Sequence, residues 1–200
     1  SKKKGKETWV EPIFENGKTS YRVHHQGKPK IEGTVNRKGA VCACCGTPVE
    51  FPYIREQGKS GKIGDSLCAI AAEGKNGRIY LSADSEHLIA AQVAKPEDYP
   101  EAILPNNPRD FKTPNYGMKY FSDLFTNRQL TALTTFSELV SAAQERAEAD
   151  AVTAGLHDDR IALSEGGTGA RAYGEAVGVY LAFVIDKMTD YHSSICSWHN

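Results

Sequence analysis

Apolar residues in the first third of the chain occur in short runs, and turn-forming residues separate one run from the next. Thr8–Phe14 and Ser20–His25 flank the dipeptide Asn16-Gly17, and Asn-Gly between two such runs predicts a β-hairpin. We expect a second hairpin to bring Ile31–Asn36 beside Glu50–Arg55. The pattern therefore predicts a small β-rich module in this part of the chain.

Hydrophobic residues recur with a helical period after Thr126. Thr126-Asn-Arg-Gln129 has the order of a capping box and predicts a helix that ends near Gly155. A second helix is expected over 172–190. Each helix carries an apolar stripe that we expect to form core, with Leu130, Leu133, Phe136, Leu139, Val140 and Ala143 on the first and Tyr173, Val177, Tyr180, Leu181, Val184 and Met188 on the second.

The region between these two patterns is mixed. Gly58–Gly64 is rich in glycine and lysine and is expected to be a flexible connector. Residues 67–72 and 78–82 predict two strands joined at Asn76-Gly77. A short helix is expected over 85–94, and the proline-rich residues 95–116 predict an ordered surface loop.

The composition limits the compartment and the class of protein. Of the 200 residues, 40% are hydrophobic and 24% charged, as in an ordinary globular protein. No apolar run approaches the roughly 20 residues that span a bilayer, so we expect no membrane partner, and no secretion signal begins the chain. Five cysteines, three of them within 42–45, do not form a disulfide framework. These features favour the cytoplasm.

Charge is distributed unevenly along the chain. Residues 1–62 contain 13 Lys/Arg and 6 Asp/Glu, whereas the remainder contains 11 and 19. A basic module beside an acidic body suggests a polyanion as one partner and protein packing for the rest. For the lysine-rich residues 1–6, a solvated tail is an equally good interpretation.

The Cys42-Ala-Cys44-Cys45-Gly46 stretch has the spacing of one half of a zinc site. Two thiolates separated by two residues reach one ion across a tight turn, and tetrahedral zinc needs four ligands. Cys42 and Cys45 supply two of them, while Cys68 and Cys196 stand alone. Either the other ligands are scattered along this chain or they lie outside it, and we favour the second interpretation. The middle thiol, Cys44, is a spare thiol, an alternative ligand or half of a redox pair.

Together these patterns predict an α+β protein of two parts. Residues 1–62 are expected to form a small, basic, β-rich module that resembles a zinc ribbon. Residues 63–200 are expected to form a mixed α/β segment with two long amphipathic helices.

Several short motifs follow one another along the chain. They are the Ser1-Lys-Lys-Lys-Gly-Lys6 opening, the Cys42–Gly46 knuckle, Tyr53-Ile-Arg-Glu-Gln-Gly-Lys59, Gly77-Arg-Ile-Tyr-Leu81, Asn115-Tyr-Gly117, Asp123-Leu-Phe-Thr-Asn-Arg-Gln-Leu130, Tyr180-Leu-Ala-Phe183 and Ser194-Ile-Cys-Ser-Trp198. In order and spacing they resemble the central part of bacterial and archaeal adenine-specific DNA methylases that contain a zinc ribbon. The resemblance covers nearly the whole chain and is weakest at 140–171.

This resemblance implies a segment of an S-adenosylmethionine-dependent DNA adenine-N6 methyltransferase. In that family the cofactor loop and a first Cys-Pro-x-Cys-Gly knuckle lie upstream, and a catalytic Asp-Pro-Pro-Tyr motif lies downstream. This chain contains no Pro-Pro pair. We therefore expect it to hold half of the zinc site, to bind no S-adenosylmethionine itself and to be inactive alone. Only Cys42 and Cys45 carry over as site residues, and Cys44 departs from the small or polar residue expected there.

The same resemblance makes the chain a target-recognition insert whose partners are DNA and the remainder of the methyltransferase. The two long helices would dock on the methyltransferase core. The basic module would contact DNA phosphates, which position a duplex without specifying its sequence. The candidates for these contacts are Lys2, Lys3, Lys4, Lys6, Arg22, Lys28, Lys30, Arg37, Lys38, Arg55, Lys59 and Lys62.

Two other functions fit the residues. One is a stand-alone zinc-ribbon module that binds nucleic acid or protein and has no enzymatic activity. The other is a redox- or metal-sensing protein that uses Cys42, Cys44 and Cys45. Whether the biological setting is restriction–modification, phage defence or housekeeping stays open.

Overall fold

The computed structural model describes Gly5 and residues 7–29, 33–107 and 109–196, which fall into two units. The first unit contains the described residues up to Gln92 together with Ala102–Phe121, and the second contains Val93–Glu101 with the described residues from Ser122 onward. Both strands and helices are present, so the α+β class is confirmed. The predicted boundary after residue 62 stays a prediction.

Antiparallel strands dominate the first unit. In the described ranges they are β1 (Trp9–Glu15), β2 (Lys18–His24), β3 (Val35–Asn36), β4 (Gly39–Val41), β5 (Pro48–Val49), β6 (Ile70–Gly74) and β7 (Gly77–Leu81). They form three small sheets, β1–β2, β3–β4–β5 and β6–β7. The two hairpins predicted from Asn-Gly turns, β1–β2 and β6–β7, are confirmed.

The predicted pairing of Ile31–Asn36 with Glu50–Arg55 is wrong. Strand β3 pairs with β4, β4 pairs with β5, and the chain then enters helix α1 (Phe51–Lys59). Pro52 lies in the first turn of this helix. Proline has no N–H for a strand ladder, but its fixed φ suits the first turn of a helix, so residues 51–55 form a helix instead of a strand.

Helix α1 is held by a backbone contact with a short 3₁₀ helix, Thr113–Tyr116. Gly58 is buried, and a Cβ there would collide with the carbonyl of Tyr116, while a Cβ at Gly117 would collide with the carbonyl of Gly58. The predicted flexible connector therefore does not begin at Gly58. This residue lies inside α1, at a contact that only glycine allows.

The second unit is built on two long antiparallel helices, α3 (Asn127–Thr153) and α4 (Ala170–Tyr191); the short helix α2 (Ser85–Ala90) belongs to the first unit. The predicted capping box is confirmed: the Thr126 hydroxyl accepts from the Gln129 N–H at 3.3 Å, and the Thr126 N–H donates to Gln129 Oε1 at 2.8 Å. After α4, the N–H and hydroxyl of Ser194 both donate to the Leu124 carbonyl at 2.7 Å. These bonds join the end of α4 to the segment before α3.

Helices α3 and α4 pack through small residues. Ala170, Gly174 and Gly178 are buried on α4, and a Cβ at Gly174 would lie 2.8 Å from the carbonyl oxygen of Gln144 on α3. Leu130 and Leu133 on α3 are buried as predicted. The two helices therefore approach along a Gly/Ala seam.

The expectation that the full apolar stripes form core is wrong for several large side chains. Phe136 and Leu139 on α3 are exposed, and so are Tyr173, Tyr180 and Val184 on α4. The close approach at the glycines leaves no space for these side chains between the helices. They lie outside the seam and are not covered by the described part of the chain.

The loop between α3 and α4 is folded around the carboxylate of Asp159. This carboxylate accepts N–H bonds from Ile161 and Thr168, each at 3.0 Å. The two bonds, with a further contribution from the Gly169 N–H, lower the pKa of Asp159.

Among the described residues, no helix is long and apolar enough to cross a membrane.

Replacing Gly174 with valine should separate α3 from α4. The added side chain must displace the Gln144 carbonyl, and overpacking of this kind costs about 1–3 kcal/mol. Ala182→Val is the matched control, because Ala182 is exposed on the same helix and only a few tenths of a kcal/mol of helix propensity is then lost. Urea unfolding followed by circular dichroism measures both variants. Equal unfolding midpoints would contradict the seam.

Candidate functional site

The Cys42–Thr47 loop joins strands β4 and β5 and forms a tight turn, as the predicted cysteine knuckle requires. The Cys42 N–H donates to the Thr47 carbonyl, and the Gly46 N–H donates to the Cys42 carbonyl, both at 2.8 Å. Gly46 has φ +75°, which residues with a side chain rarely adopt. Strand pairing of Val41 with Pro48 closes the loop. The two outer cysteines are thus held on one tight turn.

The surroundings of Cys45 favour the thiolate form of its side chain. Its Sγ lies 3.1 Å from the Thr47 hydroxyl, and the pKa of Cys45 is lowered first by this side-chain bond, then by the Thr47 N–H and by the Cys42 thiol. Zinc binds thiolates, so donors that stabilise a thiolate also favour a metal at Cys42 and Cys45.

The metal site expected at Cys42 and Cys45 stays a prediction. Within 7–29, 33–107 and 109–196, no group of three or more His, Cys, Asp and Glu side chains could hold a metal ion. Cys44, Cys68 and Cys196 are free and exposed. His24 lies elsewhere, on β2, where its ring stacks on Trp9 at 4.3 Å and its Nε2 lies 2.7 Å from Glu11.

The basic candidates are spread over several elements of the first unit. Arg37 and Lys38 form the turn between β3 and β4, and Arg22 lies on β2. Because the turn and the knuckle lie at opposite ends of the three-residue strand β4, about 10 Å separates them. Lys28, Lys59 and Lys62 are exposed. Lys2, Lys3, Lys4, Lys6 and Lys30 lie outside the described residues.

Arg55 differs from the other basic candidates because aromatic rings surround it. Its guanidinium carbon lies 5.9 Å from the centre of the Phe51 ring and 5.7 Å from that of Tyr116. Its Nε is buried and has no hydrogen-bond partner in the described part of the chain. Arg55 therefore contributes to the contact between α1 and residues 113–116 through cation–π attraction.

Comparison with known proteins adds no further constraint. No protein-family model, curated protein or solved structure matches the chain. The site is therefore interpreted from its own geometry and from the motifs.

Sequence reasoning missed two features of this unit. Thr47 follows the cysteines by two residues, and the turn that brings its hydroxyl to Cys45 could have been inferred from the knuckle itself. The stack of Trp9 on His24 could also have been found, since a two-residue turn at Asn16-Gly17 makes them direct cross-strand neighbours.

Thr47→Val should raise the pKa of Cys45 towards that of an ordinary thiol, because the main donor to the thiolate is lost. Alkylation of Cys45 by iodoacetamide should then slow at neutral pH and recover as the pH rises towards about 9. Peptide mass spectrometry measures the rate in metal-free, reducing buffer. Thr47→Ser keeps the hydroxyl and should preserve the rate, and Cys68 is the internal control. An unchanged profile in Thr47→Val would contradict the role of this bond.

Proposed function

We propose that this chain is a segment of an S-adenosylmethionine-dependent DNA adenine-N6 methyltransferase. It carries the zinc-ribbon and target-recognition insert between the cofactor-binding and catalytic motifs. The observation that carries this proposal is the Cys42–Thr47 knuckle, seated between two strands of a small sheet with the basic pair Arg37 and Lys38 on the adjoining turn. A half-formed metal site on a basic β-module is what the motif resemblance implies.

The contact between α1 and residues 113–116 also supports the proposal. Two of the stretches that carry the resemblance, Tyr53–Lys59 and Asn115–Gly117, meet there through Gly58 and Gly117. Two motifs far apart in the sequence thus belong to one structural contact. The close backbone approach accounts for glycine at positions 58 and 117.

The surface of α4 supports docking on a larger protein. Residues 172–185 include a single charged side chain, Glu175, whose carboxylate is bound to the Leu163 N–H and to Arg171. Val179 and Phe183 are exposed on this helix. A helix that is apolar around most of its circumference is typical of one buried in a larger assembly.

Each part would have a physical role in methyl transfer. An enzyme that modifies a base must take the base out of the duplex, and it must hold the opened DNA meanwhile. The basic residues would hold the phosphates, and Cys42 and Cys45 would hold zinc, which orders a β-module too small to bury much apolar surface. The methyl donor and the catalytic residues would come from the remainder of the enzyme.

DNA binding by the chain tests the recognition role. Arg37→Ala/Lys38→Ala should weaken binding to a short DNA duplex and make the slope of log K against log salt shallower by about 1.8, because each phosphate contact contributes about 0.9. Lys75→Ala/Arg78→Ala is the matched control, since it removes an exposed basic pair from the β6–β7 hairpin. Fluorescence anisotropy at several salt concentrations measures all three proteins. Equal slopes of log K against log salt for all three proteins would contradict phosphate contacts by Arg37 and Lys38.

Methyl transfer separates the segment from a complete enzyme. The chain with DNA and S-adenosylmethionine should give no turnover, and methylation of adenine by the chain alone would contradict the proposal.

The surrounding reading frame distinguishes the methyltransferase segment from a stand-alone module. A Cys-Pro-x-Cys-Gly knuckle encoded upstream and an Asp-Pro-Pro-Tyr motif downstream support the methyltransferase, whereas stop codons on both sides support the module.

A further inference from the structure

One face of the α3–α4 hairpin combines two rows of side chains that border the same groove. Along α3 and its C-terminal cap, one residue recurs every three or four positions, which places the set in one row on a helix. The row is Phe136, Leu139, Ala143, Ala147, Asp150 and the cap residue Ala154. On α4 the corresponding row is Tyr173, Val177, Tyr180 and Val184. Ala147, Asp150 and Ala154 line the groove from one side, and Tyr173 and Val177 line it from the other. Both rows therefore lie on a single face, which we call the groove face.

The groove face has a groove at one end and large exposed side chains at the other. The hollow end is a groove of about 520 Å³ whose α3 wall is built mainly from alanines. The other end carries three large exposed side chains, Phe136, Val184 and Tyr180, and Tyr180 is 73% exposed. Tyr180 comes one helical turn after the groove residue Val177, so the protruding ring and the hollow are neighbours along α4.

The exposed apolar area of this face is near the upper end of what monomers show. With about 200 Å² for each aromatic side chain, the exposed fractions of Phe136, Tyr173 and Tyr180 (44%, 53% and 73%) correspond to roughly 340 Å². Leu139 and Val184 raise the total to roughly 500 Å², near the upper end for the largest patch on a monomer. A stable interface buries about 800 Å² from each partner, and homodimer interfaces are about 65% apolar. The groove face thus has the apolar area that one side of a dimer requires.

We propose that a second copy of this chain covers the groove face, so that two α3–α4 hairpins form a four-helix bundle. A two-fold interface buries the same patch on both copies, and the patch must therefore carry both a projection and the hollow that receives it. Tyr180 and the alanine-lined groove meet this requirement. The face must also avoid like charges that meet across the axis. Its one carboxylate, Asp150, is bound by Arg146 at 2.9 Å.

In this arrangement Tyr180 of each copy enters the groove of the other copy. Phe136 and Val184 pack beside the inserted ring. Aromatic residues that fill a pocket near the centre of an interface usually dominate its binding free energy. The proposal does not depend on methyltransferase activity, because only the hairpin surface is involved. It leaves Val179 and Phe183 available for contact with other protein.

Sedimentation equilibrium of the complete chain, from about 1 to about 100 µM, tests the proposal. The unaltered chain should be dimeric in the upper part of this range. Tyr180→Ser removes the projection and Ala154→Trp fills the groove, and each should raise the dimer dissociation constant at least about tenfold. Val179→Ser, which shortens an exposed side chain of α4 outside the groove face, should leave the constant unchanged.

A mixture of the two variants gives the sharpest result. Tyr180→Ser retains an open groove and Ala154→Trp retains the projection, so one insertion can form between them, and the mixture should contain heterodimers where each variant alone is monomeric. A monomeric unaltered chain would overturn the proposal and leave the face to another protein. A dimer that neither variant weakens would also overturn it, because the copies would then meet elsewhere. Circular dichroism confirms that each variant keeps its helices.

Discussion

The close contact between α3 and α4 at Gly174 determines what the second unit can bury. Because a Cβ at this position would lie 2.8 Å from the Gln144 carbonyl oxygen, the helices meet along glycine and alanine. Large side chains are consequently kept out of the seam and remain exposed on the outer faces. A helix pair of this kind has tight internal packing but little internal burial, so its stability depends on what covers those faces.

The first unit is incomplete in a comparable way. The Cys42–Thr47 loop holds two cysteines on one tight turn, where Thr47 favours the thiolate of Cys45, whereas a tetrahedral zinc site needs four ligands. Small β-modules with a cysteine knuckle take much of their folding free energy from the metal. In the proposed function, the exposed faces of α3 and α4 and the two cysteines of the knuckle would each need a partner that the described residues do not supply. This shared property is the physical basis for interpreting the chain as part of a larger assembly.

Local signals in the sequence were sufficient where a structure depends on neighbouring residues. The hairpins followed from Asn-Gly turns, and the start of α3 followed from Thr126 and Gln129, because both signals act within four residues. The strand expected at 50–55 failed because Pro52 favours the start of a helix. The expectation that the whole apolar stripes are buried was wrong for a different reason. Helix α4 is apolar on several sides, and periodicity alone does not show that its glycines determine which side packs against α3. The cysteine spacing predicted the tight turn at Cys42–Thr47, whereas the metal site stays a prediction. The contact of Arg55 with Tyr116 depends on a distant segment that spacing does not reveal.

Zinc content per chain, measured by elemental analysis of protein purified without chelator or metal-binding tag, tests the central claim most directly. The account predicts no stoichiometric zinc in the chain alone, because Cys42 and Cys45 supply only two of four ligands. One zinc per chain would contradict it, since a complete site would then exist within these residues and the stand-alone module would be favoured. Half a zinc per chain would also contradict it, because two copies would then share their knuckles and no upstream knuckle would be needed.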